Sequence, residues 1–584
     1  MNDEEKARAV KHMDQTVNQL LADWMREGFR GADPDGDLAG ISVVPAVQAG
    51  FGDYQCNQAM AIGKRHHQPP RTVAGAVQAA LPPHPAVARL EIAGPGFINI
   101  HLADDWLAAR VNALDAAPEA ALTQPGAGRT VLLDYSSPNV AKPMHIGHIR
   151  STVIGNALDR LHRALGYRVI SDNHLGDWGT QFGIILMGYR HFLDRAALDA
   201  SPVEELERIY VKSYEKSKED PAWLDAARAE LVKLQTGDAD NLALWKQFVA
   251  LSLGEFQRIY DRLNVRFDLV RGESWYHNLL EGTMERLRQN GLVRESEGAQ
   301  VVFLEEEKLP PCIVRKSDGG FNYAATDIAT VLTRVEEFAP DAIVYVTDER
   351  QQLHFRQVFA ICRRLGVTTR LEHIWFGLMR LPEGTFSTRQ GNVIKLERLL
   401  DEAEAKARQL VDANSPDMPE AGRAEVARAV GIGAVKYADL SQNPQSLVTF
   451  SWEKALAMNG NSAPYLQYAC ARIASVHDKY RAQFPDGALE SHPIVLNDPL
   501  ERDLALRLVR FPEAVLHAVE NDKPSLLADY LYETAGAYSG FYQNLPFLKA
   551  PGGVRESRIR LGRATGSVLR RGLNLLGIET PDRI

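Results

Sequence analysis

A strand, a turn and a helix that begins with two histidines constrain this sequence more than any other feature. The apolar run VLLD starts at Val131, the turn-rich stretch SSPNVAKPM follows, and helical periodicity runs from about Ile149 to Leu165 before the segment YRVIS. Short apolar runs bounded by turn residues predict buried strands, and the 3.6-residue period between them predicts a crossover helix. We therefore expect a β-α-β unit of a parallel sheet.

A second such unit follows later in the chain. The apolar run AIVYV occupies residues 342–346, a helical pattern extends from about 351 to 365, and a further strand is predicted near 373–379. Two β-α-β halves indicate an α/β fold with a Rossmann-like, doubly wound parallel sheet. The charge-rich residues 187–300 between the halves are predicted to be a mostly helical insertion.

A chain of 584 residues is too long for one core, so we expect several domains. Residues 1–104 predict a small α+β domain, and the Ala-, Pro- and Gly-rich residues 116–130 predict a connector. The sheet domain is expected at 125–400. Helical periodicity after residue 400 predicts an α-helical bundle domain at 401–584.

Charge and cysteine use narrow the class of protein. A formal net charge of −9 argues against a uniformly basic protein, but the stretch from Pro551 onward carries seven arginines against three acidic residues. That stretch is either a basic binding surface or a solvated helix face. Four widely spaced cysteines, each expected to be a buried thiol, suggest neither disulfides nor a zinc site: Cys56, Cys312, Cys362 and Cys470.

Targeting signals are not evident in the sequence. The first ten residues, MNDEEKARAV, are charged where a signal peptide would be apolar, and no apolar run of about 18 residues occurs. We therefore expect a cytoplasmic protein that is not a membrane protein.

The chemistry is concentrated at His145-Ile146-Gly147-His148, where a helix is predicted to begin. The first turn of a helix presents backbone N–H groups and a positive dipole end, which together suit a phosphate group. Gly147 lets a nucleotide approach the backbone, and histidines at i and i+3 can reach one bound group. A metal site and purely structural histidines are the alternatives, although no third metal ligand is apparent.

The residues on both sides of this motif give further evidence about function. The run DYSSPNVAKPMHIGHIRSTVIGNALDRLHRALGY with DNHLGDWGTQFG, residues 134–183, resembles the catalytic core of arginyl-tRNA synthetases. The resemblance implies an arginine–tRNA ligase of class I that joins L-arginine to tRNA(Arg) in two steps, through arginyl-adenylate. ATP is then a substrate, Mg²⁺ is expected on its phosphates, the first step is expected to need tRNA, and family habit suggests a monomer.

The phosphate-binding loop of the family matches residues 385–392, TFSTRQGN, which lack both lysines of the usual KMSKS-like sequence. In similar arginyl enzymes a lysine just before the HIGH motif supplies the missing charge, and Lys142 stands there. The catalytic residues implied by the resemblance are Lys142, His145, His148 and Arg389. ATP binding adds Gly147 and Thr388.

The resemblance also implies a pocket for arginine. A guanidinium is always charged and offers five donors in a rigid fork, so its pocket requires carboxylates. Asp134, Tyr323 and Asp327 are the implied guanidinium ligands. Ser137, Asn139, His148 and Gln351 are the implied ligands of the amino and carboxylate groups or of the ribose. Ala325 stands where the family usually has threonine, which predicts a minor packing difference.

Two further segments resemble RNA-binding parts of the family. GNSAPYLQYACARI, residues 460–473, is similar to the start of the anticodon-binding domain, where Tyr465 and Tyr468 can stack on bases or serve as core residues. Phe97 and Asn99 in GPGFINI match positions that meet the tRNA D-loop.

Three rival functions differ from this expectation. Another class I synthetase, such as the cysteinyl or leucyl type, would need zinc-ligand spacing or a large editing insertion. A non-catalytic tRNA-binding relative would not need the HIGH residues and both pocket carboxylates. A small-molecule nucleotidyltransferase would have no use for an anticodon-type domain.

Overall fold

A computed structural model describes residues 15–34, 36–47, 49–381, 384–385 and 395–584. The chain divides into two compact units, each built from separate stretches of sequence. The first unit comprises residues 1–125, 457–575 and 579–584, and the second comprises 126–456 and 576–578. No described helix is both long enough and apolar enough to cross a membrane.

The second unit contains the predicted parallel sheet. Its five strands lie in the spatial order Arg370–Phe376, Ala342–Asp348, Thr130–Asp134, Arg168–Asn173 and Leu269–Val270, and every pair is parallel. The crossover helices are Ile146–Ala164 and Gln352–Arg364. The order reverses between Thr130–Asp134 and Ala342–Asp348, so the carboxyl ends of these strands form the crevice where such sheets bind ligands. This confirms the predicted α/β fold class.

The predicted helical insertion begins as expected and then differs. Its helices are Gln181–Phe192, Arg195–Ala200, Pro202–Glu219, Pro221–Gln235, Ala239–Leu263, Glu273–Tyr276 and Leu280–Gln289. A three-stranded antiparallel sheet follows, with strands Val293–Ser296, Ala299–Leu304 and Leu309–Arg315, which the sequence pattern does not predict. The short strands and the Pro-Pro pair in the last of them weaken the alternation on which such a prediction depends.

The unit that contains the sheet extends beyond residue 400, where sequence analysis places a domain border. Helices Leu396–Asn414 and Glu420–Leu440 lie in it, and Met379 pairs with Val448 in a short parallel ladder. Arg150 on the first crossover helix makes a buried ion pair with Asp439. The helical period continues past 400 with no break in composition, so periodicity alone cannot locate this border.

The first unit combines the N-terminal α+β part with the C-terminal helices. A four-stranded antiparallel sheet has the order Val44–Pro45, Tyr54–Cys56, Phe97–Leu102 and Val87–Ala93, which includes the expected hairpin around Gly-Pro-Gly. The helices of this part are Val17–Ala32, Gln58–Arg65, Pro70–Ala80 and Asp104–Ala116. The C-terminal helices are Ala463–Gln483, Pro499–Val509, Phe511–Glu520, Pro524–Asn544 and Val554–Leu575.

The arginine-rich C-terminal stretch is neither a solvated face nor an open basic surface. The guanidinium groups of Arg560 and Arg563 both bind the buried carboxylate of Asp115, at 2.9 and 2.7 Å. Arg558 pairs with the buried Glu501 at 2.7 Å. These ion pairs join helices within the first unit, so the basic charge is largely neutralised internally. The four cysteines are buried and unpaired, as predicted.

Candidate active site

A cavity of about 650 Å³ opens at the carboxyl ends of the central strands of the second unit. Most of the residues that sequence analysis assigns to ATP and arginine contribute to its lining. These are Asp134, Ser137, Asn139, His145, Gly147, His148, Tyr323, Asp327 and Gln351. Side chains from three separate parts of the chain therefore meet at the sheet crevice.

The loop between the first strand and the HIGH helix is held in a strained backbone conformation. Ser136, Ser137 and Ala141 have φ angles of 71°, 49° and 63°, in the left-handed region that non-glycine residues rarely occupy. The amide of Ser137 donates to Asn173 at 3.1 Å, and that of Ala141 donates to Ser252 at 2.9 Å. These bonds offset the strain and fix the path of the loop.

The fixed loop presents Asn139 at the cavity. Asn139 is exposed and forms an isolated parallel bridge with Gly176. A Cβ atom on Gly176 would lie 2.1 Å from Asn139 Oδ1, so this close approach requires glycine.

The two histidines lie side by side, with ring centres 3.9 Å apart. The amide of Gly147 donates to Nδ1 of His145, and the amide of His145 donates to Nδ1 of His148, both at 3.0 Å. Burial, together with Lys142 and Arg350, lowers the pKa of His145; burial and His145 lower the pKa of His148 to about 3. Both rings are therefore neutral, and each carries its proton on Nε2.

This geometry changes one expectation about phosphate binding. The amide of Gly147 is engaged by His145, and the amide of His148 donates to the His145 carbonyl at 2.8 Å. The N–H groups of Gly147 and His148 are thus used in capping the helix. The Nε2–H groups of the two histidines can donate to an anionic oxygen.

Lys142 lies beside the histidines. Its Nζ atom is 4.7 Å from the centre of the Tyr210 ring, and burial lowers its pKa although Glu207 opposes the effect. The other expected phosphate ligands, Thr388 and Arg389, lie outside the described residues, as does the rest of 386–394.

Tyr323 and Asp327 lie one turn apart near the start of the helix Tyr323–Phe338. Tyr323 is 69% exposed, whereas Asp327 is half-buried and its Oδ2 lies 2.5 Å from Nε2 of His354. Ala325, between them, is fully buried in the hydrophobic core and does not line the cavity. The departure at Ala325 therefore affects packing and not the pocket wall.

Two residues that the sequence patterns do not predict, Glu273 and His354, face Asp327. Glu273 lines the cavity and is half-buried; burial, then Asp327 and Asp177, raises its pKa to about 8. It follows the short strand Leu269–Val270, so its place at the carboxyl end of a strand is a signal that could have identified it. His354 stands three residues after Gln351, a spacing that puts both on one helix face.

Asp134 is not available to a substrate guanidinium in the expected way. Its Oδ2 accepts a 2.7 Å bond from the fully buried Arg334, which also donates to Asp172 at 2.8 Å. Its Oδ1 accepts the Ser137 hydroxyl at 3.0 Å. An arginine of the protein thus binds this carboxylate together with that of Asp172, and Asp134 lines the cavity and orients Ser137. Arg334 could have been noticed as a lone charge within the apolar run IATVLTRV.

The residues expected to contact tRNA differ in exposure. Phe97 is partly buried at the start of its strand, and Asn99 is fully buried, with its Oδ1 accepting a 2.8 Å bond from Gln55. In this conformation the Asn99 side chain therefore cannot contact RNA, because it is buried and hydrogen-bonded to Gln55 on the same face of the sheet. Tyr468 is 37% exposed beneath Arg472, whereas Tyr465 is half-buried against Tyr532.

Comparison with protein families accounts for nearly the whole chain. Residues 113–452 match the model "tRNA synthetases class I (R), catalytic domain". Residues 466–584 match the DALR anticodon binding domain, and residues 11–102 match the arginyl tRNA synthetase N terminal domain.

Individual proteins give the same result. The chain is 44% identical to an arginine–tRNA ligase of Fusobacterium nucleatum, covering 96% of this chain and 98% of that one. It is 43% identical to the Chromobacterium violaceum arginine–tRNA ligase, covering 97% and 99%. Among solved structures, arginyl-tRNA synthetases of Plasmodium falciparum and Thermus thermophilus have TM-scores of 0.83 and 0.82 at 25% identity, covering 98% and 97% of this chain and all of theirs. On this evidence the chain belongs to the arginyl-tRNA synthetase family.

Proposed function

We propose that the cavity holds arginine against Asp327 and Glu273 and holds the phosphates of ATP against His145, His148 and Lys142. The protein is an arginine–tRNA ligase: arginine and ATP give arginyl-adenylate and pyrophosphate, and the terminal ribose of tRNA(Arg) then accepts arginine as AMP leaves. The observation that carries the proposal is that the carboxyl groups of Asp327 and Glu273 and the neutral imidazoles of His145 and His148 line the same cavity.

Arginine binding uses charge and geometry together. A guanidinium between Asp327 and Glu273 makes charge-assisted hydrogen bonds to two carboxylates, and the Tyr323 hydroxyl is placed at the same rim. Asn139, Ser137 and Gln351 hold the amino and carboxylate end. The Asp134–Arg334 pair beneath them fixes the Ser137 hydroxyl.

Adenylation needs the arginine carboxylate to attack the α-phosphate while charge moves onto pyrophosphate. Nε2–H groups of His145 and His148 donate to phosphate oxygens, and Lys142 adds a positive charge; Gly147 allows the nucleotide to approach, and Thr388 with Arg389 completes the phosphate contacts. No group of three or more His, Cys, Asp or Glu side chains that could hold a metal ion occurs among the described residues. Mg²⁺ that binds together with ATP would neutralise charge on the phosphates.

The remaining assignments concern tRNA and cellular context. Residues 1–104 form the tRNA-contacting domain, residues 125–400 form the catalytic domain, and residues 401–584 form the anticodon-binding domain. Residues 401–456 of that last range contribute helices to the unit that contains the sheet. Tyr468 with Arg472 and Phe97 are the surface residues through which tRNA is bound. Tyr465 and Asn99 support them from within. The enzyme acts as a cytoplasmic monomer.

ATP–pyrophosphate exchange with each of the twenty amino acids, with and without tRNA, tests the proposal. Exchange with arginine only, and only with tRNA present, is the expected result. Folded protein that shows no arginine-dependent exchange in either condition would overturn the assignment and favour a non-catalytic tRNA-binding protein.

Arginine affinity is expected to depend on pH through Glu273. The raised pKa of about 8 keeps this carboxyl protonated below pH 8 in the unbound enzyme, whereas the guanidinium requires the carboxylate. Arginine binding then releases a proton. As the pH rises from 6 to 8, the Kd for arginine should fall by about tenfold for each pH unit, and above pH 8 it should become constant. Calorimetry in buffers of different ionisation enthalpy measures both quantities.

Two variants isolate the source of this pH dependence. Glu273→Gln should bind arginine more weakly and without the slope. His354→Gln removes the titratable imidazole that contacts Asp327 and should keep the slope. A Kd that stays constant from pH 6 to 9 in the parent enzyme would contradict the role of Glu273.

A further inference from the structure

A second cavity, of about 390 Å³, lies in the second unit beside the last turns of the helix Ala239–Leu263. The side chains of Leu253, Phe256 and Tyr260 follow one another at intervals of three and four residues, so they lie on one face of that helix. This face forms one wall of the cavity. No described residue lines both this cavity and the catalytic cavity, so the second cavity is a separate site.

The chain that follows the helix forms the opposite wall of the second cavity. Asn264 ends the helix with a left-handed φ of 52°, and the strand Leu269–Val270 then joins the edge of the parallel sheet. Between them, the ring of Phe267 meets the ring of Tyr260 edge to face, with centres 5.1 Å apart. The interior of the cavity is therefore mainly apolar and aromatic, which suits a flat apolar group.

The rim of the second cavity carries one negative and one positive side chain. Asp261 and Arg266 both line the cavity and are exposed. Asp261 Oδ1 accepts a 2.8 Å hydrogen bond from Gln257, which lies beside it on the rim. Within the described part of the chain, no ion pair engages the Arg266 guanidinium. A molecule that enters the cavity therefore meets a carboxylate and a guanidinium at the rim.

An α-amino acid with an aromatic side chain complements this arrangement. Its carboxylate can pair with Arg266, its ammonium group can pair with Asp261, and its ring then extends into the aromatic interior. A nucleotide would place several negative charges close to Asp261, which repels them. An uncharged aromatic molecule would leave both rim charges without a partner. Charge complementarity therefore favours a zwitterion.

The inner end of the second cavity is hydrogen-bonded to the strained loop of the active site. The Tyr260 hydroxyl lies 2.9 Å from Oγ of Ser136 and accepts a 3.1 Å bond from the amide group of Asn173. Asn173 Oδ1 in turn accepts the backbone N–H of Ser137 at 3.1 Å. A ligand that packs against the Tyr260 ring restricts its movement. Such a ligand therefore stabilises the loop conformation that presents Ser137 and Asn139 to the catalytic cavity.

We propose that the second cavity binds an α-amino acid with an aromatic side chain and that this ligand raises the affinity of the catalytic cavity for arginine. The binding site is independent of the proposed function, and only the effect on arginine rests on it. By linkage, the two amino acids raise each other's affinity by the same factor. The enzyme thereby responds to an amino acid that it does not attach to tRNA.

Calorimetric titration of the full-length enzyme with L-phenylalanine tests the binding site. Saturating arginine is present, so that the catalytic cavity is occupied. 3-Phenylpropanoate lacks the ammonium group and 2-phenylethylamine lacks the carboxylate, so each should bind about tenfold more weakly than phenylalanine. No binding of phenylalanine, or equal binding of phenylalanine and 3-phenylpropanoate, overturns the proposal. Binding of AMP that depends on Arg266 would identify a nucleotide as the occupant and would overturn it as well.

Variants of the rim locate the bound phenylalanine. Arg266→Gln and Asp261→Asn should each weaken phenylalanine binding about tenfold, because each removes one charge-assisted contact. Neither should change the Kd for arginine measured without phenylalanine. Arg228→Gln changes another exposed arginine of the same unit, which pairs with Asp225, and should alter neither affinity. Phenylalanine binding that is unchanged in both rim variants contradicts the proposed site.

The effect on arginine is tested by a second titration. Saturating phenylalanine should lower the Kd for arginine about fivefold in the parent enzyme, at the lower end of typical coupling between sites. Tyr260→Phe keeps the ring but removes the hydroxyl that contacts Ser136 and Asn173, so phenylalanine should still bind and should no longer affect arginine. A parent enzyme without this effect, or a Tyr260→Phe enzyme that retains it, overturns the proposed coupling.

Failure of the proposed function would give a different result. Arginine-dependent pyrophosphate exchange, measured with tRNA and without phenylalanine, tests that function with no ligand in the second cavity. A parent enzyme that catalyses this exchange and binds no phenylalanine disproves only the second site. A parent enzyme that binds phenylalanine through Arg266 but catalyses no exchange disproves the function and retains the site.

Discussion

Asp327→Asn is expected to lower kcat/KM for arginine on the order of a thousandfold. Asparagine keeps the shape of the side chain and can keep the contact with His354, but it removes one of the two charges proposed to face the guanidinium. Removing one partner of a desolvated ion pair typically costs about 3–5 kcal/mol. The loss should appear mainly in KM for arginine, measured by aminoacylation at saturating ATP and tRNA.

Comparison with an uncharged substrate sharpens the prediction. Citrulline has nearly the shape of arginine without the charge, so the preference for arginine over citrulline should shrink in Asp327→Asn. Glu336→Gln, on the exposed side of the same helix, serves as the control and should leave both values unchanged. An Asp327→Asn enzyme with normal KM for arginine would show that the guanidinium binds elsewhere.

Arg150→Met is expected to destabilise the second unit by about 3–5 kcal/mol. Arg150 is 1% exposed, and its Nε atom donates to both carboxylate oxygens of Asp439 at 3.1 Å. The same guanidinium also donates to the backbone carbonyls of Gly377, Ser446 and Pro444. Methionine fills similar volume but leaves a buried carboxylate and three carbonyl groups without this donor. Urea unfolding followed by intrinsic fluorescence measures the effect.

Two comparisons test the cause of this loss. Arg150→Met combined with Asp439→Leu removes both charges, so the double variant should be more stable than Arg150→Met alone. Arg228→Met breaks an exposed pair with Asp225 and should cost less than about 1 kcal/mol. A double variant no more stable than the single one would mean that packing, and not the unpaired carboxylate, dominates.

The sequence predicts those secondary-structure elements whose pattern of apolar residues can be recognised within a short stretch of chain. The β-α-β halves were predictable because strands and helices have different hydrophobic periods, and the observed crossover helices Ile146–Ala164 and Gln352–Arg364 lie within three residues of the predicted limits. The pair Tyr323 and Asp327 was identified through the resemblance of the segment FNYAATD to the arginyl enzymes, and the observed helix places both residues on one face.

Contacts between residues that are far apart in the sequence could not be predicted from it. Nothing near Asp134 in the sequence indicates that Arg334, on the helix Tyr323–Phe338, already binds its carboxylate. Glu273 comes close to Asp327 only because the strand before it joins the edge of the same sheet. Asp115 is likewise far from Arg560 and Arg563 in the sequence, and its ion pairs with them reduce the positive charge of a stretch that is basic by composition.

Each of the two units is built from stretches that are far apart in the sequence, and this affects how the protein folds during synthesis. Residues 1–125 leave the ribosome long before residues 457–575 that complete their unit, and translation of the stretch between them takes on the order of half a minute at 5–20 residues per second. During that interval Asp53 and Asp115 lack the arginines that neutralise them, Arg502 and Arg560. The nascent N-terminal part must therefore persist as an incomplete folding intermediate, and chaperones have a defined window in which to bind it.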